Sequence, residues 1–226
     1  MSDADGGRAS EAPGPDDTGD DRHSGDGERP PDGIVVPDDA DVPEWEDQYL
    51  DRVARRLVFN YDLERDVAAG GEDFDLYGQL KIESERQFLH PAINFANHQA
   101  HEHLLARRAD GVTVADLEAL IELGHDLADD WIDADEEHYG TDFTFVLVVP
   151  HISEEVRSFV DGFRDRTLLR YGYYGHYEVN LVVVAPQRED SVDSQEADVV
   201  QAFQTWEDLD QEPTGLLERL GEFLGI

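Results

Sequence analysis

Apolar positions along this chain fall into two spacings, one near 3.6 residues and one of two, and their order predicts a mixed helix and strand domain. In residues 44–60, Trp45, Tyr49, Val53 and Leu57 recur every four residues, and Leu50, Ala54 and Val58 widen the stripe. This is the face of an amphipathic helix. Pro43 and the acids Glu44, Glu46 and Asp47 suit its start. A glycine-bearing loop over 68–73 follows. Phe74, Leu76, Leu80 and Ile82 then alternate with Tyr77, Gln79, Lys81 and Glu83, the pattern of a half-buried strand with Gly78 in its middle.

His90-Pro91 breaks this pattern and predicts a helix running to about Arg107. Asp110-Gly111 reads as a turn, and Thr113 to Asp116 as a capping box with Asp in place of Glu. The next helix carries Leu117, Leu120, Ile121, Leu127, Ala128 and Trp131 on one face. Gly124 lies on that face too, where it costs about 1 kcal/mol of helix propensity against alanine and would let a neighbouring helix approach closely. The two helices together predict an αα-hairpin over 91–131. Phe143 to Val149 reads as a strand buried on both faces, Ser153 as the cap of a helix through Phe163, and Val179 to Ala185 as a second buried strand. Strand, helix and strand within this span make a βαβ unit. Residues 187–198 read as a polar linker. Val199, Val200, Phe203 and Trp206 mark a further helix, and Leu216 to Leu224 a short terminal one.

The expected fold is therefore α/β or α+β: one domain with a small sheet, an αα-hairpin insertion and a βαβ unit. Residues 1–43 are set apart from it. They hold six of the ten prolines, seven of the 19 glycines and a net charge of −10. With almost no large apolar side chain before Ile34 they cannot offset ordering entropy, which predicts a disordered acidic tail. Residues 44–186 form the predicted core, and 187–226 a polar linker with C-terminal helices packing on it.

Charge changes the picture. The chain of 226 residues carries 54 acids against 17 Lys plus Arg, a formal net charge of −37. Its one lysine is Lys81, and Asp outnumbers Glu by 32 to 22. Like charge of this size opposes compactness in dilute buffer, whereas molar salt shortens the screening length to about 3 Å and removes most of the repulsion. Acids spread along the whole chain point to a halophilic cytoplasm rather than to a block that captures a basic partner. Duplex DNA is an unsuitable partner, since phosphate contacts need clustered cations. Cysteine is absent, which removes disulfide and zinc-thiolate classes. No N-terminal apolar segment of signal-peptide type and no apolar run of membrane-spanning length is visible, which predicts a soluble, cytoplasmic protein.

The runs FDLYGQL (74–80), FLHPAINFANHQAHEHLLARR (88–108), GHDLADDWI (124–132) and GYYGHYEVNLVVVAP (172–186) resemble a domain of uncharacterised haloarchaeal proteins. The resemblance covers residues 44–186. It implies no activity and supplies no catalytic residue.

Two constellations could carry chemistry. The first is the segment Arg164 to Tyr177, net +2 in an acidic chain and holding four of the eight tyrosines. Arg164, Arg166, Arg170, Tyr173, Tyr174 and His176 are its candidate ligand-binding residues. Arginine forks bind carboxylate or phosphate, tyrosine faces stack on planar groups, and Gly172 and Gly175 permit close backbone approach. The partner would be a protein or a small anionic ligand. The second is a metal set on the helical hairpin: His98 and His101 from one helix, Glu122, His125 and Asp129 from the other. Glu122 and His125 have the Glu-x-x-His spacing of carboxylate-bridged metal sites, which would suit a metal-dependent, hydrolase-like enzyme. The set meets only for one hand of the hairpin.

Other motifs fail. Asp133 to Glu137 begins like a calcium loop, but His138 stands where glycine is needed and Thr144 where glutamate is needed. No phosphate loop, dinucleotide fingerprint or nucleophile elbow appears. A restriction-nuclease core needs Glu two residues before its lysine, and Gln79 precedes Lys81. A non-catalytic binding domain is the favoured expectation.

Overall fold

The computed structural model describes residues 43–85, 97–195, 197 and 199–207. The tail over 1–42, the expected break at His90-Pro91 and the expected terminal helix over 216–224 lie outside the described residues. Those that are described build one mixed seven-stranded sheet with four helices, in the order α1 (Gln48–Leu57), β1 (Asp62–Ala69), β2 (Glu72–Glu85), β3 (Asn97–Arg108), α2 (Val114–Trp131), β4 (His138–Val148), α3 (Glu154–Asp161), β5 (Asp165–Leu168), β6 (His176–Ala185), β7 (Asp190–Asp193) and α4 (Val200–Phe203). The strands lie side by side as β1-β2-β3-β4-β6-β5, and β7 pairs with the same β6.

The largest correction falls on residues 97–108. They form a strand, β3, and not the second half of a helix beginning at Pro91. With it the αα-hairpin disappears. β3 and β4 are parallel neighbours, and α2 is the crossover between them. The residues of β3 are mostly good helix formers, but Leu104, Leu105 and Ala106 are all fully buried, with Leu105 in one core and its two neighbours in the other. A contiguous apolar run covered on both faces is the mark of an interior strand, and that burial outweighs local propensity. The expected βαβ unit is present: β4 and β6 are parallel partners with α3 between them, and β5 is an added hairpin arm antiparallel to β6.

The sheet is also larger than the sequence pattern predicts. The 68–73 loop is only a two-residue turn, Gly70-Gly71, joining β1 to β2, and both glycines have positive φ (58° and 87°). Such turns match the twist of the strands they join. Part of the 187–198 linker is β7, paired to β6 from Val182↔Asp193 to Ala185↔Asp190.

Two cores cover the two faces. Helices α2 and α3 close one over Phe143, Phe145, Val179 and Leu181, with the Thr113–Asp116 capping box present as expected at the start of α2. Helix α1 closes the other over Leu76, Leu104, Val146 and Val184. It is tied to the end of the domain by two side chains: Tyr49 donates its hydroxyl to the Phe203 carbonyl at 2.6 Å, and the buried Arg56 donates to the carbonyls of Gln201, Gln204 and Glu207. The N-terminal ends of β3, β4 and β6 meet at one end of the sheet.

Candidate functional site

Residues 164–177 form an antiparallel hairpin at that end. β5 pairs with β6 from Asp165↔Val179 to Leu168↔His176, leaving seven residues to turn the chain. Leu169 N–H donates to Gly175 O, and Tyr174 N–H donates to Leu169 O. Between them the backbone is left-handed at two consecutive non-glycine residues, Arg170 (φ 49°, ψ 48°) and Tyr171 (φ 61°, ψ 25°), and at Gly172. Each such non-glycine residue costs of order 1 kcal/mol or more. Gly175 is required: a Cβ there would stand 2.0 Å from the Tyr139 carbonyl oxygen. The tip projects its rings outward, with Tyr171 96% and Tyr173 85% exposed.

Of the candidate ligand-binding residues, Arg164, Arg166, Arg170 and Tyr173 are all exposed, and Tyr173 N–H donates to the Arg170 carbonyl on the tip. Arg166, His176 and Tyr174 are engaged with the domain itself. Arg166 pairs with the buried Glu178 at 3.3 Å and donates an Nη2 hydrogen to His176 Nδ1 at 3.3 Å. Guanidinium has no acceptor, so His176 accepts at Nδ1 and carries its proton on Nε2, which lies 3.5 Å from Glu178 Oε1. Burial, then Arg166 and His138, lower the His176 pKa to about 4. The Tyr174 carbonyl accepts from His138 Nδ1 at 2.7 Å.

The candidate metal residues fall on one strand and one helix. His98 and His101 lie on β3 rather than on a helix. Glu122 and Asp129 are exposed on α2. His125 turns to the sheet, where Nδ1 is 2.8 Å from the Tyr177 hydroxyl and Nε2 is 3.1 Å from Asp165. Among the described residues no three His, Asp or Glu side chains are grouped to hold a metal ion. The hairpin hand on which that set depended has no meaning in a strand–helix–strand unit. Asp135, in the false calcium loop, accepts the N–H groups of Glu137 and His138 through Oδ1.

Sequence reasoning missed two arrangements. His125 stands between Asp165 of β5, at ion-pair distance, and the Tyr177 hydroxyl of β6, to which it is hydrogen-bonded, and so links both strands to α2. His103 meets Tyr77, Nδ1 to hydroxyl at 2.8 Å, beneath Trp131, and its pKa falls to about 4 through burial and then the nearby His101. Burial, then Glu64, lifts the Tyr77 hydroxyl to about 12, so it remains a donor. The available signal was the two-residue alternation His101, His103, Leu105 within a segment of helical composition.

The family described as "Domain of unknown function (DUF8052)" matches residues 46–205. The chain belongs to this family. The family match runs from the turn before α1 to just past α4, so it takes in the hairpin, β7 and both cores except Trp45. No curated protein and no solved structure matches the chain.

Proposed function

We propose that this domain is a non-catalytic binding module of a salt-rich cytoplasm and that the β5–β6 hairpin is its contact element. One observation carries the reading. The chain holds Arg170 and Tyr171 in consecutive left-handed conformations and exposes Tyr171 almost fully, so the strain is not offset by packing of that ring. Strain of this kind collects where backbone shape serves recognition. Tyrosine and arginine are also the residues most enriched at binding hot spots. The net charge of −37 with a single lysine supports a cytoplasm of high ionic strength, and no helix among the described residues is long and apolar enough to cross a membrane.

The test compares the wild-type chain with an Arg170→Ala, Tyr173→Ala double variant as baits in roughly 2 M KCl, where long-range charge effects are screened. Species crosslinked to the wild type should be lost from the variant. An unchanged set of crosslinked species overturns the hairpin as the contact element.

A further inference from the structure

We propose that the partner of the hairpin is a second copy of this chain, in a two-fold dimer that seats the tip of each copy on the acidic loop of the other. The inference rests on the binding reading above in taking the same hairpin as the contact element. It adds the identity of the occupant.

Four of the six exposed large apolar or aromatic side chains among the described residues belong to one patch: Tyr171, Tyr173, Leu168 (60% exposed) and Tyr139 (40%). Tyr139 joins the hairpin because the Tyr139 carbonyl abuts Gly175 and its ring meets His176 edge-on at 5.8 Å. A cluster of this kind marks an interface, whereas scattered exposed rings do not.

Charge selects that partner. The tip is cationic at Arg170. Immediately before Tyr139 the chain runs Asp133, Ala134, Asp135, Glu136, Glu137, and all four acids are exposed. The loop is held beside the hairpin by the bond from His138 to the Tyr174 carbonyl and shaped by the Asp135 turn. One patch therefore carries a cationic aromatic tip next to an anionic loop. A two-fold axis brings each feature against its complement, which is the condition for an isologous interface.

Two chains of charge −37 repel one another at long range. At roughly 0.01 M salt the screening length is about 30 Å and repulsion extends across the molecule; at about 1 M it is about 3 Å and only contact-range pairs survive. Dimerisation should therefore increase with salt, the reverse of an ordinary charge-driven complex.

Sedimentation equilibrium on the full chain tests this from dilute buffer to roughly 2 M KCl. The expected result is a dimer in high salt whose dissociation constant rises at least about tenfold in Arg170→Glu, Tyr171→Ser. A partner variant, Asp133→Arg, Glu136→Arg, should weaken self-association likewise, and a mixture of the two variants should restore a heterodimer. Both sets of changes are on exposed side chains, and the restored mixture shows that each variant is folded. A wild type that remains monomeric at about 100 μM in high salt overturns the proposal, as does a dimer that the charge changes leave intact. If the chain is monomeric but the bait experiment still loses crosslinked species with the double variant, the hairpin binds a different protein or an anion, and only the dimer is wrong.

Discussion

Gly124 of α2 lies directly on Val179 of β6: a Cβ at Gly124 would stand 2.8 Å from Val179 Cγ2 and 3.1 Å from the ring of Phe145. The close approach that a glycine on an apolar helix face suggests is real, and the neighbour is the sheet rather than another helix. Alanine here gains about 1 kcal/mol of helix propensity but forces apart a packed helix and sheet, at a cost of about 1–3 kcal/mol. Gly124→Ala should therefore lower stability by about 1 kcal/mol in urea or guanidinium unfolding. A stabilised variant would show that α2 is free to lift.

Tyr171→Gly should have the opposite sign. Glycine accepts φ 61° without steric cost, and the lost side chain is almost wholly in solvent. Stability should rise by up to about 1 kcal/mol while binding through the hairpin weakens. Thermal melting and sedimentation on the same sample would separate the two effects. A fall in stability would mean that the ring packs on the domain.

Arg56 supports the far side of the molecule. Its guanidinium holds three carbonyls of the segment following Ala197 against α1. Arg56→Met keeps the apolar stem and removes the donors, and should cost about 2 kcal/mol. Hydrogen exchange should then rise over 199–207 while β6 remains protected.

Acid should weaken the fold in two steps. His103 and His176 both have folded-state pKa values lowered to about 4, chiefly by burial. Against an ordinary value near 6.5, the unfolded chain takes up protons that the folded chain refuses. Stability is therefore complete above about pH 6.5 and falls as pH drops towards 4, by about 2–3 kcal/mol for each histidine at most. A second loss follows at lower pH. Asp47, held below its usual range mainly by its hydrogen bond with Arg108, and Asp116, held mainly by Thr113, stabilise the fold only while ionised. Chemical denaturation at a series of pH values should show the upper limb flatten in His103→Gln. An unchanged slope would mean that His103 is already protonated in the folded chain.

Much of the architecture was legible from residue spacing alone. The stripe from Trp45 to Leu57, the capping box at Thr113, the paired buried strands at Phe143–Val149 and Val179–Ala185 and the helix after Ser153 all occur as their patterns predict. In each, burial and local propensity favour the same conformation. The same reading located the Arg/Tyr segment as the cationic exception in an acidic chain.

Only tertiary structure could decide residues 97–108. Their composition favours a helix, and a strand wins because β2 and β4 flank the segment and both sheet faces cover Leu104 to Ala106. That one change converts a helical hairpin into a strand–helix–strand unit and moves His98 and His101 off any helix face. Tertiary structure likewise sets the pairing of Arg166 with Glu178, which depends on register across β5 and β6. Local spacing reports which side chains share a face of one element; which elements face each other is set by burial summed over the whole sheet.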